Sequence, residues 1–343
     1  MRFERRRMLT MVTSLLVLAL VAAPAVLVDV ATADTKIAQA TRTPIEVTVR
    51  FTWKLKGEYA PLYVAREKGY YSAAGLNVKL AEGSGAKTAL RQLAAGQEQV
   101  VWGPVVNAAQ SVAAGIPVKV IAVYQPKVPI GLIAHPDTPL RGPKDLEGKK
   151  LGYTIGETVA DLLDPFLRLH KIDKSKLTLI QMDGGARVTQ FMSRRIDLIS
   201  VFTNNDLPEL EKKAGVKFNV LRFADFGLSV LGAGFMTSEQ QLKERADVLR
   251  RLIQATNKGF EDARRNPEEA AGIMLKAFKV PVERDVLVQQ VRATVEAATA
   301  PAGRPLGWQS EELWKGTLDL LVESGSIKEK RPLAEYYTNT LLE

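Results

Sequence analysis

From Ile45 onward the chain alternates two hydrophobic patterns. Ile45–Phe51 (IEVTVRF) reads as a strand, and Leu76, Val78 and Leu80 alternate with Asn77 and Lys79 at the period of a half-buried strand. Between them Pro61 suits a helix's first turn, where its missing N–H costs nothing, and Gly69 suits its end. A glycine turn at 83–85 leads into a helix that buries Ala89, Leu90, Leu93 and Ala94. QVVWG follows as a strand, and VVNAAQSVAAG as a helix closed by Gly115. Val118–Tyr124 is apolar almost throughout, as a parallel strand covered on both faces should be.

The same grammar then restarts. Strands are predicted at Lys150–Thr154, KLTLIQM, DLISVF and KFNVLRF, with helices from Gly156 to about His170, over ARVTQFMSRR and within TNNDLPELEKKAG. After Phe235 the chain turns helical, and Leu249, Leu252, Ile253, Thr256 and Phe260 share one face. Further helices are expected around PEEAAGIMLKAF, Val282–Thr299 and Ser310–Ser324. The fold class is α/β, with two lobes that each hold a mainly parallel sheet flanked by helices, and a helical C-terminal tail on the first. Lobe 1 is expected over 45–128 and 232–343 and lobe 2 over 129–231, with chain crossings near Pro126–Ala134 and Gly227–Phe235. Ligands of such sheets sit at the carboxyl ends of the strands, so the strand-to-helix loops should face a cleft between the lobes.

The first residues break the pattern. Arg2, Arg5, Arg6 and Arg7 precede an apolar run from Met11 to Val28, and Ala31 and Ala33 form an A-x-A site. This is the layout of a secretory signal over 1–33, with cleavage after Ala33 or, alternatively, at Ala38–Ala40. An uncleaved anchor and a twin-arginine signal are the competing readings. The chain of 343 residues has no cysteine, hence no disulfide and no lipid-anchoring thiol. An exported, monomeric protein of a periplasm fits these features. The formal charge is +9. Paired basics such as Arg194-Arg195 and Arg250-Arg251 lie beside acids on amphipathic helices, a solvated surface and not a nucleic-acid stripe.

Catalytic chemistry is poorly supplied. With no cysteine and only His135 and His170, thiol catalysis is excluded, and no metal site or cofactor is expected. G-x-S-x-G, Walker A and dinucleotide fingerprints are missing. What remains is a set of loops rich in aromatic and small polar residues: Trp53, Glu58 and Tyr59; Ser84; Trp102 and Asn107; Thr154, Glu157 and Thr158; Asn204, Asn205 and Asp206. A flat ligand stacked on an indole or phenol, with carboxylates and amides at its edges, suits this set. Each residue also has a plain structural reading, as helix cap, core aromatic or turn.

EYAPLYVAREKGYYSAAGLNVKL and AAGQEQVVWG, followed in order by AAGIPVKVIA, KDLEGKKLGY and RRNPEEAAGIML, carry a family likeness across about Val47 to Leu275. The chain resembles the periplasmic substrate-binding proteins of ABC importers, of the group that includes binders of the thiamine pyrimidine precursor, alkanesulfonates, taurine and nitrate. The resemblance implies a type II-like two-lobed fold closing on one small molecule, and delivery to an ABC permease in the inner membrane. APLYVA and FTNNDLPEL look closest to the pyrimidine-precursor branch, where a cleft aromatic stacks on the heterocycle and acidic groups take its amino group; Trp53, Glu58 and Asp206 match those places. The chain differs from that branch in Glu58-Tyr59, which stands where Asn-His is common, and in Gln99, which replaces an Asp. It also lacks the cysteine-rich segment of the pyrimidine-synthesising relatives. A small-anion binder and an enzyme on the same scaffold are the alternatives. A sensor needs the same closure as a transport protein.

Overall fold

The computed structural model describes residues 43–343; the leader expected over 1–33 lies outside the described residues. The first sheet has the order β2-β1-β3-β10-β4, built from β1 (Ile45–Phe51), β2 (Leu76–Ala81), β3 (Val100–Pro104), β4 (Val118–Val123) and β10 (Ala233–Ser238). The second has the order β7-β6-β8-β5-β9, from β5 (Ile130–Ala134), β6 (Lys150–Tyr153), β7 (Thr178–Gln181), β8 (Leu198–Phe202) and β9 (Asn219–Arg222). In the first sheet every strand but β10 runs the same way, and in the second every strand but β5.

Those two reversed strands come from the segments that periodicity reads as links. Leaving the first sheet after β4, the chain enters the second as β5; returning after β9, it enters the first as β10. IGLIA and AGFMTS are buried at every position, because each has strands on both sides and cover on both faces. Such a run shows no alternation to betray it. Gly234 in β10 is required by contact: a Cβ there would meet the Ala122 carbonyl oxygen at 2.1 Å.

Between the sheets the two crossings lie side by side. Val128 N–H donates to Val230 O at 2.8 Å, Gly232 N–H to Gln125 O at 2.9 Å and Tyr124 N–H to Ala233 O at 2.9 Å. The links thus satisfy each other's backbone groups where neither sheet reaches.

Helices α1 (Ala60–Glu67) and α2 (Tyr70–Ala73) follow β1, parted by Gly69 at φ 74°. α3 (Ala86–Ala94) and α4 (Val105–Ala113) complete the first block. α5 (Thr158–Leu169), α6 (Gly184–Met192) and α7 (Asp206–Ala214) serve the second sheet. The tail runs through α8 (Glu239–Arg265), α9 (Pro267–Leu275), α10 (Arg284–Ala297) and α11 (Glu311–Glu323). Leu249, Leu252, Ile253 and Phe260 of α8 are buried in one cluster with Leu62 and Val64 of α1 and Val49 of β1. Tyr70 and Tyr71 bind this helix as well: the Tyr71 and Thr256 hydroxyls are 2.9 Å apart, and the Tyr70 hydroxyl donates to Asp262.

The crossing of α8 over α1 rests on Gly259, where a Cβ would lie 2.2 Å from the Pro61 carbonyl oxygen and 2.8 Å from Ala65 Cβ. Gly259→Ala gains roughly 1 kcal/mol of helix propensity. The backbone contact it creates is relieved only by moving α8, an overpacking cost of roughly 1–3 kcal/mol. Net destabilisation is expected as a lower urea midpoint; an unchanged or raised midpoint would show that the crossing tolerates a methyl group.

Candidate functional site

The loop after β1 is pinned before any ligand is considered. Gly85 N–H donates to Thr52 O at 2.8 Å, Gly83 N–H to Trp53 O at 3.1 Å and Leu55 N–H to Glu82 Oε1 at 2.8 Å. The loop reaches across to the second lobe. Lys56 Nζ lies 2.5 Å from Glu209 Oε2 and 3.7 Å from Asp206 Oδ1. Trp53 stands over Gly184 at the start of α6, with Cζ2 3.7 Å from the place a Gly184 Cβ would take.

A cavity lies where these loops meet, with about 660 Å³ unfilled by protein atoms, open solvent at its mouth included. Its wall brings together Trp53, Glu58, Glu157, Thr158, Asn205 and Asp206 from the sequence-derived candidates. Gln125, Val128 and Ala233 of the paired crossings line it, as do Thr52, Lys56, Arg187 and Phe202.

The other candidates sit elsewhere. Tyr59 is buried behind Glu58, stacked on Phe51 with ring centroids 3.9 Å apart. Trp102 is core, packed among Tyr124, Phe235 and Phe260. A strand residue enclosed on both faces cannot reach the cleft, which β3 meets only through Gly103 and Pro104. Ser84 lines a separate depression beside Arg50 and Glu82. Asn107 accepts at 2.8 Å from the Thr158 hydroxyl and so ties α4 to α5 across the lobes. Thr154 donates its hydroxyl to Met182 O at 3.0 Å, and Asn204 is buried beside the wall, outside the lining. Of the histidines, His135 Nε2 bonds the Phe191 carbonyl at 2.8 Å and His170 Nε2 the Phe226 carbonyl at 2.8 Å, both away from the cavity.

Sequence reading missed the cations. Arg187, in the middle of α6, gives Nη1 to both Glu157 oxygens, at 2.6 and 2.5 Å, and to Ser200 Oγ at 2.5 Å. Ser200 in turn donates to Glu157. Guanidinium and carboxylate are both buried, so each needs the other: removing one partner of such a pair strands a charge at several kcal/mol. The signal was present as an arginine on the inner face of an amphipathic helix, but arginines at that spacing are common on solvated faces. Lys56 is held by Asp206 and Glu209. Burial works against its charge, and the two carboxylates more than offset this, raising its pKa above the ordinary lysine value.

Glu58 faces the opposite pressure. Burial raises its carboxyl to about 6; the like charge of Asp206 adds to this and Lys56 opposes it. A raised carboxyl pKa means that the folded chain binds a proton which the unfolded chain has already released, between about pH 4.5 and 6. Stability therefore falls as pH rises through that window, and the full cost stands above it. Glu58→Gln should raise the melting temperature at pH 8 relative to wild type and leave it equal at pH 4. A difference of the same size at both pH values would mean that the carboxylate charge is not the cause.

Comparison with solved structures places the architecture. The alkanesulfonate-binding protein SsuA of Xanthomonas axonopodis pv. citri, bound to MOPS, superposes with a TM-score of 0.67 at 14% identity, over 87% of this chain and 99% of that one. The fold is that of the periplasmic binding proteins. Among curated proteins, the riboflavin-binding protein RibY of Chloroflexus aurantiacus is 25% identical over 305 residues, 86% of this chain and 85% of the relative. The 4-amino-5-hydroxymethyl-2-methylpyrimidine phosphate synthase of Legionella pneumophila is 25% identical over 249 residues, 71% of this chain and 77% of the relative. The family model described as NMT1/THI5 like matches residues 56–270, more than half of the chain, and the protein belongs to that family.

Proposed function

We propose that this chain is an exported solute-binding protein that holds a small heteroaromatic molecule in the cleft between its sheets and delivers it to an ABC permease. The observation that carries the choice of ligand is the charge pattern of the cavity wall. Its cations are already engaged, Lys56 by Asp206 and Glu209 and Arg187 by Glu157. Glu58 and Asp206 add carboxylate acceptors, and the Trp53 indole adds a flat apolar face. A sulfonate entering this site would find acceptors and occupied cations. A heterocycle with an amino group or ring N–H finds a stacking surface and acceptors to receive its hydrogens.

The relatives support the same class, since one is named for riboflavin and another for a pyrimidine. The second of those names is a synthase. Binding without turnover is the reading proposed here, in keeping with the relative named as a riboflavin-binding protein. Export rests on the expected leader, and one ligand per chain on the cavity between the two sheets.

Isothermal titration with an aminopyrimidine, riboflavin and taurine, followed by mass spectrometry of the recovered ligand, tests the proposal. Saturable binding of a heteroaromatic compound, recovered unchanged, is expected, with weaker or undetectable binding of taurine. Trp53→Ala should weaken the heteroaromatic about tenfold, roughly 1.4 kcal/mol. Preference for taurine, or conversion of the bound ring, would overturn the ligand class or the non-catalytic reading respectively.

A further inference from the structure

Two polar atoms on the cavity-lining side chains have no hydrogen-bond partner among the described residues: Nε of Arg187 and Oδ1 of Asn205. Both side chains are more than nine-tenths buried, with Arg187 7% and Asn205 2% exposed. Neither can simply turn away to bulk water. The Arg187 guanidinium is held through Nη1 by Glu157 and Ser200. Asn205 is held by its backbone, its N–H donating to Phe202 O at 3.1 Å and its carbonyl accepting from Gln290 Nε2 at 2.6 Å.

The chemical sense of each atom is fixed. An arginine Nε–H only donates. Oδ1 is the enclosed, unpaired atom of the Asn205 amide, and an amide oxygen only accepts. Both atoms are already withdrawn from solvent without a partner, so a ligand group that reaches them supplies a bond the empty protein lacks.

Resting on the heteroaromatic reading of the cleft, we propose that the cleft selects ligands by a donor–acceptor pattern: a ring nitrogen or carbonyl of the ligand accepts from Arg187 Nε–H, and an N–H of the ligand donates to Asn205 Oδ1. Arg187 and Asn205 are then specificity-determining residues, both carried by the second sheet's helices and loops, while the first sheet supplies the Trp53 face. The pattern fits neutral heterocycles that carry an amidine-like or amide edge. It rejects rings offering donors alone and anions offering acceptors alone.

A matched set of rings tests this: 4-amino-2-methylpyrimidine, with donor and acceptors; 3-methylaniline, the same shape with the ring nitrogens removed; and 2-methylpyrimidine, with the amino group removed. Wild-type protein should bind the first at least tenfold more tightly than either of the others. Arg187→Lys keeps a cation for Glu157 but loses the Nε–H, and should bring the ratio of aminopyrimidine to aniline close to one. Asn205→Ala keeps the backbone bonds and should shrink the ratio of aminopyrimidine to 2-methylpyrimidine. Equal affinities in the wild type overturn the pattern and leave the heteroaromatic reading standing. Wild-type ratios that persist in folded variants overturn the assignment to these residues. Binding of none of the rings, with taurine bound, overturns the reading of the cleft and this inference with it. Should Arg187→Lys fail to fold, the wild-type ratios and Asn205→Ala still decide the case.

Discussion

Everything about the site depends on how the chain passes between its sheets. Two extended segments must cross a gap in which no sheet offers hydrogen bonds, and an unpaired backbone group there is costly wherever water is excluded. The segments solve this by pairing with one another, through Val128 and Val230 and through Gln125 and Gly232. That ribbon joins the two sheets and forms part of the cavity wall through Gln125, Val128 and Ala233. It requires Gly232, where a Cβ would sit 2.8 Å from the Lys127 carbonyl oxygen. A ribbon of two strands with few cross-links is also a natural place for bending.

Around that ribbon the electrostatics divide by lobe. The second sheet carries a buried cluster of Glu157, Arg187 and Ser200, whose charges cancel within hydrogen-bond distance although Arg187 Nε stays unpaired. The first contributes Glu58, whose raised pKa shows a carboxylate short of compensation. A protein that needed only to be stable would replace Glu58 with an apolar or amide side chain. Retaining a costly carboxylate at the lip of a cavity is the trade expected where binding, not folding, sets the requirement.

Much of this was legible in the sequence, for definable reasons. Half-buried strands such as Leu76–Ala81 alternate, and helices ended by glycine, such as the one stopped at Gly69, declare their limits. Strands β5 and β10 did not, because a strand enclosed on all sides is uniformly apolar and reads like any buried link. The site divides similarly. Loop position after a strand carried Trp53, Glu58, Glu157, Thr158, Asn205 and Asp206 to the cavity wall. The same rule carried Trp102 wrongly outward: it sits within β3, parted from α4 by Gly103 and Pro104, and its indole turns into the core. Arg187 escaped notice because its role is set by tertiary position alone. Only the fold brings α6 against Ser200 of β8 and Glu157 ahead of α5.

The lobes are drawn together by the protein's own groups as well. The Thr158 hydroxyl bonds Asn107 at 2.8 Å, Lys87 meets Asp161 at 2.6 Å, and Gln290 on the tail helix α10 accepts from Gly57 N–H at 2.9 Å while donating to the Asn205 carbonyl at 2.6 Å. Exposed pairs such as Lys87–Asp161 contribute little. Gln290 is different: it is buried and serves the Trp53–Tyr59 loop and the Asn205 turn at once. A ligand shifts the balance between open and closed forms only by the contacts it makes in one and not the other. Because Gln290 fixes the backbone of Asn205, the residue whose side chain meets the cavity is already positioned when the lobes meet. The helical tail, far from the cleft in sequence, is thereby part of what sets the geometry a ligand must fit.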